Sequence, residues 1–228
     1  MQETSDRTSI NWLRAIIGGD SGLRALDQYA QENLSPDPGH DYAHALRVAL
    51  GALKIGDQTV DQRAAIAAAL LHDVVNPPKN SPLRKQASEL SAKKAREILP
   101  NYGFSSSQIE DIATAIRDHS YSRGATPQTV LGQTLQDADR LEALGAVGIM
   151  RCVATGVQMG GKLFDSSDPW ARDRELDEKQ FAVDHFFTKL FRLPSTMQTA
   201  KGRDEARRRV ELMQNFLDAL GEELGYSR

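Results

Sequence analysis

The chain has 228 residues and a mass of 25.1 kDa, the size of one domain with a core large enough to need no staple. Its single cysteine, Cys152, excludes an internal disulfide and a cysteine-rich zinc site. With 28 Lys and Arg against 31 Asp and Glu the formal charge is -3, which gives no electrostatic footprint for a nucleic acid polymer or an anionic membrane.

The start, Met1-Gln-Glu-Thr-Ser-Asp, is acidic and polar, the wrong chemistry for a signal peptide. The longest apolar run, Ala64 to Leu71, is too short to span a bilayer, so a cytoplasmic location is expected. Period-2 runs of β-branched residues are missing and helical spacing recurs. The pattern predicts helices near 21–33, 41–56, 61–75, 83–99, 107–118, 127–154, 174–192 and 203–221. Ile109, Ile112, Ala113 and Ile116 form one stripe behind a Ser-rich cap. Ala206, Val210, Met213, Leu217 and Leu220 form another, with Asp204/Arg208 and Glu205/Arg209 paired on the outer face. Substantial loops are expected at 76–82, 120–127 and 156–173. The expectation is an all-α, single-domain helical bundle over residues 1–228.

Of the five histidines four adjoin an aspartate in sequence: His40-Asp41, His72-Asp73, Asp118-His119 and Asp184-His185. This composition gives about one such neighbour by chance. His72-Asp73 follows a helix apolar on all sides and precedes Asn76-Pro77-Pro78, which stops it. A carboxylate there meets both the negative end of the helix dipole and a desolvation cost. A divalent cation resolves both; an arginine partner for Asp73 and a core role for His72 is the alternative from this segment alone.

Asp41 is placed to cap the next candidate helix, which puts His44 in its first turn, facing inward with Val48 and Ile55. His40 precedes that helix, where a substrate contact and a loop hydrogen bond are equally open. In Gln136-Asp-Ala-Asp-Arg-Leu141, Asp139 shares a stripe with Leu135, Ala143, Ala146 and Met150 and is the better ligand candidate. Asp137 has a mixed setting, either a second-layer or substrate contact or a solvated helix carboxylate. Gly145 and Gly148 read as packing positions, and His185, among Phe181, Phe186 and Phe187, as core. Cys152 reads as a small buried hydrophobe rather than a nucleophile. Two imidazoles and two carboxylates suit Mn2+, Fe2+, Co2+ or Mg2+ better than a structural zinc.

The order His44, His72-Asp73, Asp139, all on helices, resembles the HD-domain metal-dependent phosphohydrolase superfamily. The fit is closer to one subgroup, the bacterial HD hydrolases with nucleotide pyrophosphatase members. The pieces that carry the resemblance are Gly39-His-Asp-Tyr-Ala-His44 with Arg47-Val48, and Leu70-Leu-His-Asp73 leading to Asn76 and Lys79. Asp118-His-Ser-Tyr-Ser122 and Asp137-Ala-Asp-Arg-Leu141, running to Gly145, Gly148 and Arg151, complete the set. The resemblance spans residues 39–151 and implies metal ligands at His44, His72, Asp73 and Asp139. It implies one divalent ion, Mn2+ first, with Mg2+, Co2+, Fe2+ and Ni2+ also compatible, because only one extra histidine lies between the His-Asp pair and the last Asp. Val74-Val-Asn-Pro stands where certain nucleotidase relatives carry a catalytic glutamate.

The expected reaction is hydrolysis of a small phosphorylated metabolite, a nucleotide, with triphosphate cleaved to monophosphate and pyrophosphate. Asp73 would orient or deprotonate water, and His119 would contact phosphate or protonate the leaving group. His40, Lys79, Asp137 and Arg140 would hold the substrate, and Arg84, Arg123 and Arg151 add cations beside the candidate loops. The alternatives are a catalytically silent nucleotide-sensing module and a nucleotidase or phosphodiesterase of the same superfamily. No oligomer signal is readable.

Overall fold

The computed structural model describes residues 9–37, 39–77, 81–120, 123–226 and 228. Among them the regular structure is helical, with one isolated bridge between Lys162 and Phe181, so the all-α expectation holds. The contacts divide the chain into two compact units, Met1–Asp139 and Arg140–Arg228.

The first unit contains α1 (Ile10–Gly19), α2 (Ser21–Asn33), α3 (Tyr42–Ile55), α4 (Gln62–Leu71), α5 (Ala87–Ile98) and α6 (Ser106–Asp118), and most of α7 (Val130–Leu141). At the centre of the unit lies α4, in which all eight residues from Ala64 to Leu71 are buried, as an all-round apolar helix must be. It packs on α2, α3 and α6, while α5 packs on α6. Capping residues start the helices. Ser9, Asp20, Asp41 and Asp61 accept backbone N–H groups at α1 to α4, and Ser105 with Gln108 makes a capping box at α6.

Arg63 staples three segments of this unit. Its guanidinium donates to Asp20 at 2.8 Å and to the Gly103 and Tyr102 carbonyls at 3.0 and 2.7 Å, and it lies 3.8 Å above the Phe104 ring. Gly22 permits this arrangement, because a Cβ there would sit 2.3 Å from the Tyr102 carbonyl oxygen.

The second unit holds α8 (Gly145–Gln158), the short α9 (Asp184–Thr188), a 3-10 segment at Leu190–Thr196 and α10 (Ala200–Leu224), which packs on α8. Arg209 of α10 donates to the Leu141 carbonyl at 2.6 Å. Of the predicted stripe on α10, Ala206, Val210, Met213 and Leu217 are buried, whereas Leu220 is only half-buried.

Several boundaries differ from the sequence reading for local reasons. Helix α1 is unanticipated; Ser9 caps it and Leu13 and Ile17 are its buried pair. The helix expected through residue 75 ends at Leu71, ahead of the prolines. The helix expected over 127–154 breaks after Leu141 and resumes at Gly145, whose φ of +73° suits glycine alone. Gly148 then lies against the Ala143 carbonyl, so its packing role serves this turn. The stripe drawn from Leu135 to Met150 therefore fails beyond the break, and Met150 is 74% exposed. Residues 174–183 are not helical. His185 is not core either: it keeps 28% of its side chain accessible, with Nδ1 2.8 Å from Glu178 Oε2. The phenylalanines beside it do the packing, with Phe186 buried and stacked on Phe216.

Candidate metal centre

Four histidines and two aspartates of the first unit meet around His72. The carboxylate of Asp41 caps α3 by accepting the His44 N–H at 2.7 Å, which fixes His44 in the first turn with its ring fully buried. His72 follows the last residue of α4 and His119 the last residue of α6. Both rings turn back on their own helix: His72 Nδ1 lies 2.7 Å from the Ala69 carbonyl, and His119 Nδ1 2.6 Å from that of Ile116. A carbonyl only accepts, so each Nδ1 carries a proton, which turns each Nε2 away from its own helix. This is the outer-layer hydrogen bond that orients ligating histidines. Two helix C-termini, each the negative end of a dipole, converge on one place, an arrangement that favours a cation there.

The distances complete the centre. His44 Nε2 lies 3.2 Å from His72 Nε2 and 3.4 Å from Asp139 Oδ1, and His72 Nε2 lies 3.5 Å from Asp73 Oδ2. Ligand atoms of His44, His72 and Asp139 all fall within 4.8 Å of one another, and so do those of His72, Asp73 and His119. The rings of His72 and His119 meet edge to face with centroids 5.0 Å apart. His119, read from sequence as a phosphate contact, thus stands within reach of a cation as well.

Charge states match the geometry. Burial pushes the His72 imidazole down to about 4, against the opposing pull of Asp73 and Asp139, so it is neutral near pH 7. Burial raises the Asp139 carboxyl, but its hydrogen bond with His44 and the neighbouring imidazoles hold it well below the usual carboxylate range. Asp73 is likewise lowered, since His72, His119 and His40 outweigh burial. A neutral His72 imidazole facing two ionised carboxylates is what a divalent cation requires of its ligands. The donor set fits such an ion.

The remaining predicted residues divide. His40 reaches the edge of the centre, its ring 6.1 Å from that of His44 and its Nδ1 3.2 Å from Asp37. Asp137 is fully buried, which rules out the solvated-carboxylate alternative. Arg140 donates to the Thr196 carbonyl at 2.7 Å within the second unit. Lys79 lies outside the described residues. Arg84 braces the loop after the His-Asp pair, donating to Asn76 and to the Pro77 carbonyl at 3.1 Å, and Arg123 pairs with Asp118 and Glu89.

Sequence reasoning passed over Gln136. Fully buried, it donates through Nε2 to the carbonyls of Asp118 and Ala125, both at 3.0 Å, and so ties the turn that bears His119 to the helix that bears Asp139. Its place beside Asp137 was the available signal. Gln136→Leu removes the donor from both carbonyls and is expected to cost about 1–3 kcal/mol in urea denaturation. A loss below about 0.5 kcal/mol would mean that water replaces the amide without penalty.

Comparison with known proteins agrees with this geometry. The HD domain model matches residues 41–144. YpgQ of Bacillus subtilis (strain 168), described as uncharacterized, is 31% identical over 191 residues, covering 82% of this chain and 85% of its own. The crystal structure of Bacillus subtilis YpgQ in complex with ADP superposes with a TM-score of 0.70 at 30% identity, over 89% of this chain and 94% of that one. An HD-superfamily hydrolase from Bacillus thuringiensis gives a TM-score of 0.68 at 28% identity, over 89% and 96%. The chain belongs to the HD-domain family and is an HD-superfamily hydrolase of the metal-dependent kind.

Proposed function

We propose that the protein hydrolyses a nucleoside triphosphate to the monophosphate and pyrophosphate, with Mn2+ as its working ion held by His44, His72, Asp73 and Asp139. The observation that carries this reading is the approach of His44, His72 and Asp139, and of His72, Asp73 and His119, each set within 4.8 Å, with the Nδ1 atoms of His72 and His119 tied to backbone carbonyls. The similarity to YpgQ, crystallised with ADP, supports a nucleotide as substrate. When bound, a divalent ion supplies Lewis-acid polarisation of a phosphoryl oxygen and makes water more acidic.

The chain's own residues do the rest. Asp73, held ionised near neutral pH, orients the attacking water and takes its proton. As the new P–O bond forms at the α-phosphorus, the bond to the bridging oxygen breaks and pyrophosphate departs. His119, whose Nδ1–H is committed to Ile116, first takes a proton at Nε2, from solvent or from Asp73 once Asp73 has accepted the water's proton, and the resulting Nε2–H then contacts the phosphate or protonates the leaving oxygen. His40, at the edge of the centre, and Lys79 and Asp137 serve the substrate, with the lysine offsetting phosphate charge.

Asp73→Asn keeps the side-chain shape and removes the charge. It is expected to lower Mn2+-dependent pyrophosphate release by at least about 100-fold. Release at the wild-type rate would remove Asp73 from the mechanism.

A further inference from the structure

Helix α7 carries Asp139 and, one turn earlier on the same face, Gln136. The Gln136 side chain is fully buried. Its two hydrogen bonds, to the carbonyls of Asp118 and Ala125, both grip the connection that runs from α6 to α7. The Asp118 carbonyl belongs to the peptide group whose nitrogen is that of His119. The 3.0 Å bond to it therefore fixes the backbone from which the imidazole hangs.

The other half of the amide is idle. Gln136 Oε1 is buried and accepts no hydrogen bond among the described residues. An unsatisfied buried acceptor is uncommon and calls for a role beyond packing. All the hydrogen bonding of this residue runs through Nε2, to the backbone that bears His119. The Asp118 carboxylate is anchored separately by Arg117, at 2.8 and 2.7 Å, a contact within α6 that makes no link to α7. Two restraints thus act on His119: its own Nδ1–H holds the ring to Ile116, and Gln136 holds the peptide behind it. Together they set where Nε2 comes relative to Asp73 and His72, whose ligand atoms lie within 4.8 Å of a His119 ring nitrogen.

We propose that Gln136 is a positioning residue for the reaction, through which α7, the helix that bears Asp139, also sets the reach of His119. The inference rests on the role given to His119 above and adds the residue that governs it.

The test reads the His119 ring before it reads turnover. In proton NMR of the Mg2+-loaded full-length protein, the His119 Nδ1–H is identified by its loss in His119→Ala. In Gln136→Leu it should exchange with solvent at least about tenfold faster, while the His72 Nδ1–H, bonded to Ala69, keeps its rate. With Mn2+, Gln136→Leu should lower kcat for triphosphate cleavage by about tenfold or more and leave KM within about twofold. In a His119→Ala background the same substitution should lower the rate no further. Gln136→Met, which keeps the chain unbranched, serves in its place if the leucine variant does not fold. Unchanged His119 exchange, faster exchange at His72 as well, or rate losses that add in the double variant would each overturn the assignment. A fully active His119→Ala would remove His119 from the proposed reaction and this assignment with it. Should the wild type release no pyrophosphate, the proposed reaction falls, and the exchange rates still decide the role of Gln136.

Discussion

Asp139→Asn is expected to abolish metal-induced stabilisation while leaving the metal-free protein folded. Asparagine has the same shape and can still accept from His44, which lies 3.4 Å from Asp139 Oδ1, so the metal-free packing changes little. What disappears is the negative charge opposite two imidazole nitrogens. At an ion concentration 100 times its dissociation constant, binding stabilises the wild type by about 2.7 kcal/mol, a rise of about 5–10 °C in unfolding temperature for a chain of this size. The variant should show almost none of that rise, and turnover should fall by more than about 100-fold. Thermal scans with and without Mn2+ read the first effect independently of catalysis. An undiminished rise would place the ion on other residues.

Asp184→Ala is expected to produce the largest loss of stability in the second unit. The carboxylate is completely buried, and it accepts two guanidinium N–H groups of Arg174 at 2.5 and 2.8 Å and the Asp177 N–H at 2.7 Å. Arg174 is fixed in turn by the Asp168 carbonyl at 3.1 Å and by the Phe181 ring 4.5 Å away. Removing the carboxylate leaves a largely desolvated cation and an unsatisfied amide, a cost of about 3–5 kcal/mol. Removing both partners is milder, so Arg174→Met/Asp184→Leu should recover a large part of that loss in urea denaturation. A loss below about 1 kcal/mol for Asp184→Ala would show that water enters and replaces the pair.

The candidate metal centre was the most legible part of the sequence because the residues that would hold the ion sit at or near helix ends, where local signals are strong. Asp41 announces the start of α3, the prolines after Asn76 announce the end of α4, and the apolar run before His72 announces burial. His119 was legible as an inward residue but not as a neighbour of Asp73, since nothing in local spacing reveals how close two helix ends come. Gln136 escaped notice because its partners, the carbonyls of Asp118 and Ala125, are backbone groups with no signature of their own.

The second unit was harder to read. Its segment 159–183 is held by turns and by hydrogen bonds such as those of Asp168 with the Arg172 and Asp173 amides, rather than by periodic burial. The residues on either side of Leu144 fit one helical stripe, whereas the positive φ of Gly145 decides the break. The phenylalanine neighbours of His185 suggest a core position, but in a five-residue helix adjacent positions point in different directions.

On the proposed reading, the His44, His72, Asp73 and Asp139 centre drives metal-dependent cleavage of a nucleoside triphosphate. Its most direct test is product analysis of metal-stripped protein reloaded with Mn2+, against nucleoside mono-, di- and triphosphates. Pyrophosphate and monophosphate from triphosphates, in the reloaded enzyme only, is the predicted result. Orthophosphate as the sole product, or equal turnover before and after reloading, would contradict it.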